Sequence, residues 1–206
     1  MDETSVPTPE QIAVRAAARA FGSKLVQNNL RSLIVEEMVE AALMPGWQLC
    51  SGDWQGWDLQ HGDGSRIEVK QSTLRQTWMF NEDPSPRFDI APRTGYWIGN
   101  TWHAIPGRPA HIYVFGYHPI IDDAADHRDC RQWRFYVVRT ELLPAGQKTI
   151  GLAAVKIFSH ALSWAELRIG VEAARAKLGP RIDASPTSTQ LSELAPSCSP
   201  SQFSLF

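Results

Sequence analysis

The sequence predicts an α/β (or α+β) domain over about residues 9 to 179, with a central mixed sheet flanked by helices, and three observations predict it. Leu59, Ile67 and Val69 alternate with Asp58, Glu68 and Lys70 around a Gly-rich turn, the period-2 pattern of two half-buried strands. Residues 111–117 and 133–138 are apolar on both faces, as strands in the middle of a sheet are. Helix-start signals stand at Thr8-Pro9-Glu10-Gln11 and Ser163-Trp164-Ala165-Glu166. A chain of 206 residues with 43% hydrophobic content suits one such domain with a tail.

Composition narrows the function classes. A net charge of -2 argues against a protein that coats nucleic acid by bulk charge, but leaves room for a local basic surface. No apolar run has membrane length and the first residues, Met1-Asp2-Glu3, are acidic, so neither a membrane span nor a signal peptide is expected. The three cysteines, Cys50, Cys130 and Cys198, are odd in number and widely spaced, which predicts a reducing cytoplasm and no zinc knuckle.

In chain order, residues 1–8 are expected to be disordered. Thr8 then supplies an N-cap, Pro9 the first helical position and Gln11 the return arm of a capping box, so a first helix runs over 9–21 and stops at Gly22. Arg15 and Arg19, four apart, either touch phosphate or form a solvated face. A second helix over 30–43 ends at Met44-Pro45-Gly46, and its apolar residues cover most of the circumference, so it should be largely buried. Those residues centre near Met38 and Ala42, which leaves Glu36 and Glu40 on the far side as a solvated face. A strand over 47–51 feeds through Gly52-Asp53 into the central hairpin, giving a meander of three antiparallel strands.

The register of that hairpin follows from parity. A two-residue Asp63-Gly64 loop sets Asp58 opposite Val69, whereas a three-residue Gly62-Asp63-Gly64 loop sets Asp58 opposite Glu68 and Leu59 opposite Ile67. Only the second keeps carboxylate with carboxylate and apolar with apolar, and it puts Gly64 where the turn needs a left-handed residue. Like charges opposite one another are destabilising and need a compensating cation. Hard oxygen ligands without histidine or thiolate suit Mg²⁺ or Mn²⁺ better than zinc. Lys70, on the same face, is placed to steer a water or stabilise developing negative charge.

Asp58 followed after nine residues by Glu68-Val69-Lys70, with Gln71-Ser72 behind the lysine and a helix before the hairpin, resembles the active-site hairpin of the PD-(D/E)XK nuclease superfamily. The resemblance implies a restriction-endonuclease-like core in which Asp58 and Glu68 bind the metal and Lys70 assists the attacking water. It also implies a further metal-binding Glu on the preceding helix, where residues 35–39 with Ala42-Leu43 put Glu36 in the functional place. The helical wheel and the resemblance therefore disagree about Glu36. Gln71 either orients a water or phosphate or is the polar end of a strand.

Beyond the hairpin, residues 71–78 carry a dense mix of base-reading and stacking side chains. Residues 81–109 read as a long connection rich in Pro, Gly and aromatics, with a short strand over 87–91. Its Arg87, Arg93 and Arg108 with Tyr96, Trp97 and Trp102 suit nucleic-acid contact by charge and stacking, unless the tryptophans pack over the sheet. The acidic stretch 122–130 lacks the spacing and glycine of an EF-hand loop and reads as a solvated loop. A last helix is predicted over 164–178, stopped by Gly179-Pro180.

Residues 180–201 are rich in Ser, Pro and Thr and read as a disordered linker. The final residues, Gln202, Phe203, Ser204, Leu205 and Phe206, resemble the short motif by which bacterial replication and repair proteins bind the sliding clamp, with Phe203 where Leu is usual. Leu205 and Phe206 would fill an apolar pocket and Gln202 supply an orienting hydrogen bond, with the linker giving reach. Together these readings predict a Mg²⁺- or Mn²⁺-dependent nuclease acting on nucleic acid, DNA rather than RNA, in replication or repair. Its alternatives are a catalytically idle nucleic-acid-binding module and a clamp-tethered adaptor on the same fold.

Overall fold

The computed structural model describes residues 6–50, 56–78, 85–98 and 100–179. Its helices are α1 (Pro9–Phe21), α2 (Asn28–Leu43), α3 (Leu152–Phe158) and α4 (Leu167–Arg175). Its strands are β1 (Trp47–Leu49), β2 (Leu59–His61), β3 (Arg66–Thr73), β4 (Arg87–Asp89), β5 (Tyr96–Ile98), β6 (Thr101–His103), β7 (Ile112–His118), β8 (Arg134–Arg139) and β9 (Thr149–Gly151). The main sheet has the order β1-β2-β3-β7-β8, and two small sheets pair β4 with β9 and β5 with β6. Only β3 and β7 pair in parallel, from Ile67↔Ile112 to Thr73↔His118, and the other neighbours in the main sheet are antiparallel. The sheet is therefore mixed, as the sequence predicts.

Alternation along β3 turns Ile67 and Val69 into a core and Glu68 and Lys70 to the opposite, polar face. Ile67 and Val69 join Ile112, Val114 and Phe135 on the face covered by Val35, Val39 and Leu43 of α2 and by Leu167 and Val171 of α4. Tyr113, Phe115, Tyr136 and Val138 face the other way, against Phe88, Ile150 and Val155. Each fully buried Val, Leu, Ile or Phe among them contributes about 1.5–3 kcal/mol by leaving water. The strand in the middle, β3, is thus packed on one face through Ile67 and Val69 and hydrogen-bonded to β2 and β7 at its sides, so the side chains on its other face are carried on a fixed backbone.

α1 starts on the predicted capping box, Gln11 N–H to Thr8 Oγ1 at 3.2 Å and Thr8 N–H to Gln11 Oε1 at 3.0 Å. It buries no residue, and Arg15 and Arg19 are exposed. The last helix and the long connection differ from the prediction. The last helix opens with a 3-10 turn, Trp164–Glu166, and continues as α4 only to Arg175. Trp164 Nε1 donates to the Met38 carbonyl at 2.7 Å, which ties that turn to α2. The long connection at 81–109 contains the β5–β6 hairpin, whose strands of three residues are too short to show a period. β3 runs to Thr73, so Gln71 stands near the polar end of the strand, as one of its two readings has it. No helix among the described residues is long and apolar enough to cross a membrane. Of the segments predicted to be disordered, residues 1–5 of 1–8 and all of 180–201 lie outside the described residues, as does the 202–206 motif, while residues 6–8 are exposed and Thr8 caps α1.

Candidate active site

The site forms where β3 outlasts β2. The predicted three-residue loop is present, with His61 N–H on the Ser65 carbonyl at 2.9 Å, Gly64 at φ +81 and Leu59 opposite Ile67. The ladder then stops, one pair short of the predicted Asp58–Glu68 pair. Asp58 N–H bonds the Ile67 carbonyl at 2.9 Å, and its carboxylate Oδ2 accepts the Val69 N–H at 2.6 Å. A side chain thus takes the place that a further strand residue would occupy, and the edge of β3 beyond it opens into a polar cavity of about 500 Å³. Asp58, Glu68, Lys70, Gln71 and Glu36, all five residues singled out in the sequence, line that cavity.

Glu68 is 3% exposed. Its Oε1 accepts from Lys70 Nζ at 2.5 Å and from Arg93 Nη2 at 3.1 Å. Burial opposes a charge on Lys70, but the Glu68 carboxylate in contact with it, with Asp58 behind, outweighs burial and raises its pKa. Lys70 is therefore an ammonium group at neutral pH. Asp58 moves the other way for a carboxylate. Burial, then the Glu68 and Glu36 carboxylates, push it up to about 7, against the pull of the Val69 N–H and Lys70. The cavity holds more carboxylate charge than its own cations relieve at Asp58.

Glu36 corrects the helical-wheel reading. It is 8% exposed, not solvated, and lines the cavity with Glu68 and Lys70 of β3, while Glu40 Oε1 one turn on accepts the Leu49 N–H of β1 at 2.9 Å. The wheel weighed only the apolar stripe and had no way to see a strand docked beside it. Gln71 is fixed by two neighbours, its Oε1 accepting from Arg31 Nε at 2.7 Å and its Nε2 donating to Asn28 Oδ1 at 3.1 Å.

Arg31 was not singled out in the sequence, yet it is 0% exposed on the cavity wall. Its guanidinium donates to Gln71 and Gln76 Oε1, Asn28 Oδ1 and the Val26 carbonyl, all neutral acceptors. Burial lowers its pKa to about 10, so it keeps its charge at neutral pH. The available signal was its spacing, since Arg31, Val35, Met38 and Val39 fall on one buried helical face. Arg93 and Arg87, weighed only as nucleic-acid contacts, also line the cavity, as does Asp89.

The acidic stretch near residue 126 is part solvated and part structural. Asp122 and Asp123 are exposed, but His127 is 0% exposed, accepting the Val26 N–H on Nδ1 at 3.0 Å and donating from Nε2 to the Arg75 carbonyl at 3.1 Å. Burial, with Arg31 nearby, lowers its pKa to about 4, so it is neutral and pins the backbone.

The donor set fits a hard divalent cation in kind. Asp58, Glu68 and Glu36 present only carboxylate oxygens, the cavity wall has no histidine or thiolate, and the raised Asp58 pKa shows charge that a cation would relieve. Among the described residues no three His, Cys, Asp or Glu side chains already enclose an ion position.

No family model matches the chain, and no curated protein does. Among solved structures, a bacterial homing endonuclease matches at a TM-score of 0.31 and 16% identity, over 59% of this chain and 72% of its own. A likeness at that score carries no argument about fold or activity, so the functional reading rests on the geometry of the cavity.

Proposed function

We propose that this protein is a Mg²⁺- or Mn²⁺-dependent nuclease of the PD-(D/E)XK type that hydrolyses phosphodiester bonds in nucleic acid, DNA rather than RNA. The observation that carries the reading is the convergence of Asp58, Glu68, Glu36 and an ammonium Lys70 on one polar cavity, with Asp58 pushed up to about 7 by burial and then by its carboxylate neighbours. Asp58 and Glu68, with Glu36, would hold the cation. Bound there, it would supply Lewis-acid polarisation of the phosphoryl oxygen and a more acidic water. Lys70 Nζ, charged at neutral pH, donates hydrogen bonds and does not take a proton from water. Its part is to orient the attacking water and stabilise the negative charge that builds as the phosphorus–water bond forms and the ester bond breaks. Gln71, locked by Arg31 and Asn28, orients the water or a phosphate oxygen. The 202–206 motif would tether this activity to a sliding clamp.

A second reading, a binding module that does not turn over, is favoured by one observation. Glu68 Oε1 is taken up by Lys70 and Arg93, so a cation must displace part of that contact. One experiment decides between the two. Single-stranded, duplex and branched DNA and RNA are incubated with the parent protein in Mg²⁺, Mn²⁺ or EDTA. Cleavage that requires the ion and is lost in Asp58→Ala and Glu68→Ala supports the nuclease, and a parent that cuts none of the substrates refutes it.

A further inference from the structure

The β5–β6 hairpin is a two-stranded sheet of its own. Two strands alone are marginal in water unless a face is packed, and the inner face is. Tyr96 meets buried Trp57 edge-on with centroids 5.5 Å apart and stacks on His103 across the strands at 5.7 Å and 13°. The outer face carries the directly opposed pair Trp97 and Trp102, which are 38% and 44% exposed. The inner face already anchors the hairpin, so two large aromatics in water are not explained by its stability. Trp102 is also held in place, its ring lying across Gly95, where a Cβ would come within 2.4 Å of Cζ2. The two rings are tilted by 58° with centroids 5.5 Å apart, so they offer separate faces and not a slot between them.

The same segment reaches the cavity. Arg93 exchanges both backbone hydrogen bonds with Gly107 at the base of the hairpin, 2.8 and 2.9 Å, and its side chain reaches Glu68. From Arg93 to Trp97 the chain can span at most ~14 Å. Arg87 and Arg93 both line the cavity on this side, so a strand leaving it toward the hairpin meets guanidinium groups first and indole faces next. Cations for the backbone followed by rings for the bases is the chemistry that tracks a single strand. Bases in a duplex are already stacked on one another and cannot offer those faces.

We infer that the β5–β6 hairpin is a stacking platform for unpaired bases, which makes the substrate class a nucleic acid with a single-stranded stretch beside the phosphate in the cavity. The inference rests on the reading of that cavity as a phosphodiester-cutting site, and its test separates the two. The full chain is titrated in EDTA, where nothing turns over, with a short labelled single-stranded DNA and with a blunt duplex of the same sequence, by fluorescence anisotropy and tryptophan quenching. The parent binds the single strand at least tenfold more tightly. Trp97→Ala weakens single-strand binding on the order of tenfold and leaves duplex binding and the melting temperature unchanged. Trp97→Lys behaves like Trp97→Ala, because the added charge does not replace the ring face. Equal binding of both forms by the parent, no binding of either, or an undiminished preference in both Trp97 variants overturns the inference. A parent that prefers the single strand yet cuts nothing in Mg²⁺ overturns the cavity reading and leaves the platform standing. A parent that cuts duplex as fast as single strand and binds both equally does the reverse.

Discussion

Replacing Asp58 by asparagine removes a negative charge from the place where burial and the Glu68 and Glu36 carboxylates push the carboxyl from 3.8 to about 7. The amide oxygen can still accept the Val69 N–H that Asp58 Oδ2 holds at 2.6 Å, so the ladder is kept. Because the folded pKa lies above the unfolded one, the stability Asp58 contributes is fully present below ~4 and is lost as pH rises to about 7. A shift of about three units at ~1.36 kcal/mol per unit gives on the order of 4 kcal/mol by pH 8. That is a large share of the ~5–15 kcal/mol that holds a typical domain together. In EDTA, Asp58→Asn should match the parent at pH 4 and exceed it by on the order of 4 kcal/mol at pH 8, with a plateau above about pH 7. Urea unfolding followed by tryptophan fluorescence across that range measures it. Added Mg²⁺ should stabilise the parent at pH 8 by mass action and stabilise the variant less. A difference between variant and parent that does not change with pH would refute the claim that neighbouring carboxylates crowd Asp58.

Lys70→Ala should keep Mg²⁺-dependent stabilisation and nucleic-acid binding but lose cleavage by about a hundredfold or more, read by single-turnover kinetics; unchanged cleavage would remove Lys70 from the chemistry. Arg31→Met leaves the Val26, Asn28, Gln71 and Gln76 oxygens without their donor and should cost on the order of 3 kcal/mol in urea unfolding. A variant within about 0.5 kcal/mol of the parent would mean that water replaces the guanidinium. A peptide of residues 199–206 should bind a bacterial sliding clamp in calorimetry and stop binding when Leu205 and Phe206 are removed; equal heats from both peptides would discard the motif.

Local rules carried most of the frame. Parity fixed the three-residue loop and the Leu59↔Ile67 pair, because a one-residue slip would have turned Ile67 and Val69 into water. The capping box of α1 and the two apolar strands were legible because they depend on neighbours in sequence. What sequence could not supply were contacts made across the fold. Glu36 is buried beside the cavity where α2 packs on β3, and no wheel of α2 alone contains that strand. Arg31 keeps its charge and is solvated by the amide oxygens of Asn28, Gln71 and Gln76 and the Val26 carbonyl, an arrangement with no spacing rule. The β5–β6 hairpin is fixed by Trp57 and Gly95 contacts and not by alternation, so it read as loop.

The charge around the cavity decides how a polyanion can be held there. Among the described residues, Arg31, Lys70, Arg87 and Arg93 stand against Glu36, Asp58, Glu68 and Asp89 on the wall, four of each sign, and the chain as a whole carries -2. Bulk attraction therefore does little. A unit charge at ~4 Å is worth about 4 kcal/mol at the effective dielectric of a protein surface. A divalent cation at the carboxylates thus takes these residues from balanced to net positive, and affinity there should rise with Mg²⁺. Arg31 is sealed from solvent, which leaves Lys70, Arg87 and Arg93 to meet phosphates directly. Each such contact with a single strand contributes about -0.7 to the slope of log affinity against log salt, so the slope should lie near about -2. It should fall by one contact in Arg87→Ala, an exposed residue with no part in the folded core. Binding titrations in EDTA at several salt concentrations read this slope, and one several times steeper would mean that a basic surface elsewhere on the protein carries the affinity.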